Sequence, residues 1–245
     1  MTMLLKLTAV ESRLMLRDVA WLFTLGVPLF VMLGFGLPFA LSPGGPPPEA
    51  VSGIESLVVT AVTIALGLVG LYMVPTALAA YREKAILRRL STTPARPAAL
   101  LAVQLLLQLV LAVVSLVLLV GTAALLLGTG LPERPAALLG VHLLGAAGTF
   151  AIGLLIAAVA PTAQAANGIG VLLYFPLAFL SGLMLPREQM PAALAAVGEF
   201  TPLGAFRSAA EAAWTGADQQ VLPLVIMAGY AVAVGAAAVR FFRWE

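Results

Sequence analysis

Six long windows without one Asp, Glu, Lys or Arg constrain this chain more than any other feature. They run over about 21–41, 56–80, 98–128, 136–160, 165–186 and 221–239. An α-helix needs about 20 apolar residues to cross a hydrocarbon core roughly 30 Å thick. A charge at the centre of such a helix costs about 2.5–3.5 kcal/mol, so charge-free length is the informative signal. The fourth and fifth windows share one uncharged stretch, too long for a single crossing. It divides at Ala160-Pro161-Thr162-Ala163-Gln164, where a proline among small polar residues makes a turn. Only 10% of the residues are charged and 62% are hydrophobic, against about 25% charged in a soluble domain. The predicted fold class is an all-α membrane protein with six transmembrane helices, one transmembrane unit over residues 1–245.

The basic residues orient these spans. With both termini inside, the inner segments hold ten of the thirteen Lys and Arg, leaving Arg134, Arg187 and Arg207 outside. That asymmetry predicts cytoplasmic termini. The first span is too long for a signal peptide and has no A-x-A site after it, so it is expected to remain as an anchor. The Arg-over-Lys and Ala/Leu/Gly/Pro bias suits a GC-rich bacterial genome, hence a bacterial cytoplasmic membrane. The basic residues follow membrane orientation rather than a nucleic-acid face.

Three segments are not spans. Residues 3–18 place Met3, Leu7, Val10 and Leu14 on one helical stripe and Lys6, Arg13 and Arg17 on a neighbouring one. That is the pattern of a helix lying on the inner leaflet against anionic lipid; a solvated helix is the plainer alternative. Ser42–Pro48 is a stiff outer linker. Segment 187–220, broken at Pro191 and Pro202, is too apolar for a free loop. It is expected to form short outer re-entrant helices, the second opening at Thr201-Pro202 and reaching Trp214.

Chemistry is sparse. There is no Cys and one His, His142, so no thiolate site or disulfide exists. His142 reads as an interhelical hydrogen-bonding residue. No nucleophile elbow, zinc motif or phosphate loop appears, and no carboxylate or lysine lies within a span. No catalytic residue, metal or cofactor is assigned; the pattern argues against ion coupling and for energy delivered from outside, and if ATP drives the protein another chain binds it. Mild polarity does recur at helical spacing. Gln104, Gln108 and Ser115 share a face of the third span. Thr60 and Thr63, with Gly67 and Gly70, mark the second, and Gln164, Asn167, Tyr174 and Ser181 mark the fifth. These stripes either pack helices together or line a pathway.

The one concentrated polar island is YREKAILRRLSTTPARP, residues 81–97. Its first part can form a short helix ended by Thr92-Thr93-Pro94. Lys84 and Arg88 repel at i,i+4, and Glu83 faces Leu87 rather than a cation. Charges left so unsatisfied find partners elsewhere, whether anionic lipid or protein.

Arg82-Glu83-Lys84-Ala85-Ile86-Leu87-Arg88-Arg89-Leu90-Ser91-Thr92-Thr93-Pro94 is similar to the R-E-x-G-x-x-x-R-L-x-x-T-P pattern of permease subunits of type 2 ABC exporters, with Ala85 in place of the usual Gly. Phe179-Leu180-Ser181-Gly182-Leu183-Met184-Leu185-Pro186, followed by Met190-Pro191, resembles the family's F-x-S-G-x-x-x-P. The chain most resembles bacterial daunorubicin-type drug-resistance permeases. The resemblance implies that 82–92 is a cytoplasmic coupling helix docking on a separate ATPase. Arg82, Glu83, Lys84, Arg88, Arg89, Thr93 and Pro94 are its candidate residues. It further implies two ATPase copies carrying ATP and Mg, a second permease chain in a homodimer, and spans two and five at the dimer axis. Efflux of a hydrophobic or amphipathic molecule follows. Lipid-linked glycan or haem-type cargo, or a motor-free scaffold or transferase, are the alternatives.

Overall fold

The computed structural model describes the backbone of residues 2–42, 48–84 and 97–241. Among them the structure is nearly all helical, without a strand. Six helices are long and apolar enough to cross a membrane: span 1 (Ala20–Ala40), span 2 (Val51–Glu83), span 3 (Ala98–Leu127), span 4 (Pro135–Val159), span 5 (Ala163–Leu180) and span 6 (Val221–Phe241). An N-terminal helix, Thr2–Arg17, precedes them. Two cap helices, Ala192–Glu199 and Pro202–Thr215, lie between spans 5 and 6.

Two boundaries differ from the sequence expectation. Span 2 begins before residue 56, because Ser52, Glu55 and Ser56 face a cavity beside the second cap helix instead of lipid. Span 5 stops at Leu180 instead of reaching residue 186, because Gly182 takes a left-handed φ of 85°. The predicted turn between spans 4 and 5 is present, and Thr162 caps span 5 by accepting the Ala165 N–H at 3.1 Å. The linker residues 43–47 lie outside the described residues.

Spans 2 and 4 form the centre, with 89% and 72% of their most apolar stretches buried; spans 1, 5 and 6 stand at 22%, 17% and 17%. Glycine explains how the centre closes. Span 2 contains a π-helical turn, Val69–Met73, after which the Val74 N–H bonds to the Val69 carbonyl. Pro75 follows and has no N–H to give. The carbonyls of Gly70 and Leu71 thereby lose their usual donors four residues on. Gly153 of span 4 lies against the first and Gly170 of span 5 against the second, so closely that a side-chain carbon at either would collide with the oxygen. Small residues permit this backbone approach, the common solution where lipid offers no hydrophobic drive between helices.

Candidate functional site

At one end of the bundle, span 2 runs into the polar island; this is the basic end. Arg82 and Glu83 are its last helical residues, and both reach the turn between spans 4 and 5. The Arg82 Nη1 donates to the carbonyls of Ala157, Ala158 (2.9 Å) and Ala160 (3.4 Å). The Glu83 Oε2 accepts the Ala163 N–H at 2.9 Å. A cation therefore meets the carbonyl end of span 4 and an anion meets the amide end of span 5, the arrangement each helix dipole favours. Lys84 ends the helix and is exposed. Segment 85–96 lies outside the described residues, and with it Arg88, Arg89, Thr93 and Pro94.

The N-terminal helix joins the same end through a residue that hydropathy gave no reason to select. Glu11 is buried, 6% exposed. Its Oε2 accepts the Tyr81 hydroxyl at 2.5 Å and the Gln104 Nε2 at 2.6 Å, and Gln104 also donates to the Tyr81 hydroxyl at 2.6 Å. The triad ties this helix to spans 2 and 3 just before the Arg82–Glu83 pair. Val10 and Leu14 are exposed and Leu7 packs inward. The helix thus has a polar anchor inside and apolar residues outside.

The opposite, cap end is organised by Arg207, 9% exposed on the second cap helix. Its Nη1 donates to the carbonyls of Ser181 (3.1 Å) and Gly182 (2.5 Å), which close span 5. Its Nη2 reaches the Ser56 hydroxyl of span 2 at 3.3 Å and Glu211 at 3.5 Å. The Ser-Gly of the F-x-S-G pattern is thus a backbone seat for a guanidinium, and a β-carbon on Gly182 would collide with Arg207. Thr201 caps the second cap helix, accepting the Gly204 N–H at 3.1 Å. Arg187 donates to the Gly204 carbonyl at 2.9 Å. At the other end of that helix, the Glu133 and Arg134 N–H groups bond to the Trp214 and Ala213 carbonyls. Arg134 adds the Ala217 carbonyl and Asp218. All three arginines that the topology count leaves outside therefore hold this one helix and its flanks.

A comparison with known families matches residues 3–213 to the ABC-2 type transporter. The chain belongs to the ABC-2 type transporter family. No curated protein matches it. It is accordingly the multi-pass membrane component of an ABC transporter, a system whose ATPase is its partner. The match covers spans 1 to 5 and most of the second cap helix, and so includes both arginine-centred ends.

The ABC-2 permease distributes its remaining polar candidates unevenly. Thr60 and Thr63 are buried inside the bundle, and the Thr63 hydroxyl donates to the Val59 carbonyl at 2.7 Å. Tyr174 is half-buried and packs where Gly67 of span 2 leaves room. Ser181 is buried and donates to the Ala178 carbonyl at 2.9 Å. Asn167 is half-buried and Gln164 exposed. Spans 2 and 5 thus meet through Gly67–Tyr174, whereas the hydroxyls of Thr63 and Ser181 are satisfied by their own helices. His142, fully buried, bonds through Nε2 to the Ala112 carbonyl of span 3 at 3.0 Å and meets Phe206 edge-on.

Proposed function

We propose that this ABC-2 permease forms the membrane half of an ATP-driven exporter of the daunorubicin-type drug-resistance kind, moving a hydrophobic or amphipathic molecule outward. The observation that carries the reading is the double grip on span 5. Glu83, from the motif resembling a coupling helix, holds its first amide. Arg207, from the cap, holds the Ser181 and Gly182 carbonyls just past its end. A displacement of the 82–94 segment would reach span 5 through Glu83 and span 4 through Arg82, then the cap through Arg207. Span 5 also presents Ile169, Leu172 and Phe175 outward, an apolar face suited to a second permease chain in a homodimer. Between two such faces an apolar cargo would move by shape and dispersion rather than by ion pairing. The basic end and both termini are then cytoplasmic, in a bacterial cell membrane. Two ATPase copies dock there, supplying ATP and Mg chemistry that this chain does not perform. Gln164, Asn167 and Tyr174 are the path residues of this reading, with Thr60, Thr63 and Ser181 supporting the helices behind them.

The test is purification of the tagged chain in mild detergent from its host, with transport of an amphipathic dye measured in vesicles. A P-loop ATPase is expected to accompany the chain. It should be lost, and transport abolished, on combining Arg88→Glu with Arg89→Glu while membrane insertion persists. Unchanged transport in that double variant would remove the coupling assignment.

A further inference from the structure

The structure holds a cavity of about 300 Å³ at the basic end, between the N-terminal helix and spans 2 and 3. It is open on one side and has two kinds of wall. Leu14, Met15 and Met73 make it apolar, while Glu11, Gln104 and Gln108 make it polar. Glu11 and Gln104 spend hydrogen bonds on each other and on Tyr81. Gln108 does not: it is 2% exposed, lines the cavity, and its Oε1 has no hydrogen-bond partner. A buried amide oxygen without a donor is rare in folded proteins and points to a missing partner. The cavity is far larger than the roughly 30 Å³ share of one water. It falls in the range of about 300–1,000 Å³ seen for ligand pockets.

The charges describe that partner. The buried carboxylate of Glu11 lies within, and the exposed Asp18 and Lys84 line the same cavity. Asp18 already accepts the Ala20 N–H at 3.0 Å, and Lys84, the basic residue among those lining the cavity, is the cation for an anionic group. A ligand that suits the site carries N–H donors on a cation at one end and an anion beside it. Depth adds a second constraint. About 20 residues of helix cross the hydrocarbon core, and counting that far back from Leu127 reaches Gln108. That count is consistent with a cavity near headgroup level, and the neighbouring N-terminal helix exposes Leu5, Val10, Leu14 and Leu16 as a lipid-compatible surface.

We infer that this cavity binds the headgroup of a primary-amine phospholipid, a phosphatidylethanolamine. A turn of the Gln108 amide brings its sealed Oε1 to the cavity, where the ammonium donates to it and faces the Glu11 carboxylate; Lys84 pairs with the phosphate, and the acyl chains leave along the apolar wall. The site is separate from the cargo path of the proposed exporter and does not depend on it. A bound lipid there would wedge the N-terminal helix against spans 2 and 3, beside the Arg82–Glu83 pair.

The experiment is native mass spectrometry of the full purified chain, stripped of lipid and then given equimolar dioleoyl phosphatidylethanolamine, phosphatidylglycerol and phosphatidylcholine. The expected result is one phosphatidylethanolamine retained per chain with at least a tenfold preference over the other two. Phosphatidylcholine loses because its quaternary ammonium has no N–H to donate. Gln108→Leu should reduce the preference to within twofold, and Glu11→Gln should weaken it severalfold, while Leu172→Ala on the outward face of span 5 leaves it intact. Equal retention of the three lipids by the natural chain, a result that needs no variant to fold, overturns the inference. So does an unchanged preference in Gln108→Leu. Displacement of the bound lipid by equimolar free phosphoethanolamine would show a soluble amine in the site and overturn the lipid assignment.

Discussion

Each end of this bundle uses an arginine to finish a helix, and the two arginines do it differently. Arg82 donates to the carbonyls of Ala157, Ala158 and Ala160 at the close of span 4, from a half-exposed position on the helix that leads into the coupling-like motif. Arg207 donates to Ser181 and Gly182 at the close of span 5, but from the buried side of a cap helix that is itself fastened at both of its ends. Both place a cation where a helix dipole is negative. The acceptors are buried at both ends: Ala157, Ala158 and Ala160 at the first, Ser181 and Gly182 at the second. The donors differ, since Arg82 is half-exposed and can exchange with water whereas Arg207 is 9% exposed. That difference in the donors marks the cap end as the more firmly closed of the two.

The largest effect should come from removing the fixed closure. Arg207→Met strands two buried carbonyls, each worth about 1–3 kcal/mol when unsatisfied, so a loss of about 3 kcal/mol is expected in thermal unfolding of the detergent-solubilised protein. Stability and transport should fall together. Arg207→Lys should recover only part, since an ammonium lacks the fork that spans two carbonyls and the Ser56 hydroxyl. Full stability in Arg207→Met would erase the contrast between the two ends.

Gly182→Ala attacks the same seat from the backbone. A left-handed conformation costs a non-glycine residue about 1–2 kcal/mol, and the new methyl also displaces the guanidinium. A loss of about 2 kcal/mol is expected by the same assay, and it should shrink in the Arg207→Met background because both changes act on one contact. Thr201→Ala removes the cap of the second cap helix and should cost about 1 kcal/mol, again with stability and transport lowered in step.

The sequence carried some of this and not the rest, for a physical reason. The spans, the turn near Pro161 and the cap helix opening at Thr201-Pro202 were legible because each is written locally, in charge-free length or in a Thr cap beside a proline. Glu83 takes the N–H of Ala163, far along the chain, as a partner that no local window contains. Glu11 and Arg207 were invisible because hydropathy treats a charge as a surface residue. Their burial depends on Tyr81 and Gln104 in one case and on Ser181 and Gly182 in the other, which no window around either residue contains. The π-helical turn at Val69–Met73 left only indirect signs: a proline just beyond it, and glycines in two other helices.

The smallest stability change should accompany the sharpest functional separation. Glu83 is exposed, and its bond to the Ala163 N–H is a helix-end contact worth about 0.5 kcal/mol at a surface. Glu83→Gln keeps an acceptor for that N–H and gives up only the charge. Thermal unfolding should move by about 0.5 kcal/mol or less, whereas Glu83→Lys, which sets a cation at the amide end of span 5, should cost about twice that. If the basic end is a seat that transmits motion, transport in both variants falls much further than stability does, with Glu83→Lys the more impaired. The absence of Cys allows one cysteine at Leu172, on the outward face of span 5, to report that motion without background labelling. ATP-dependent changes in its cross-linking should be present in the natural background and flattened by Glu83→Lys. Cross-linking that responds to ATP equally in both backgrounds would place transmission elsewhere and reduce Glu83 to a helix cap like Thr201.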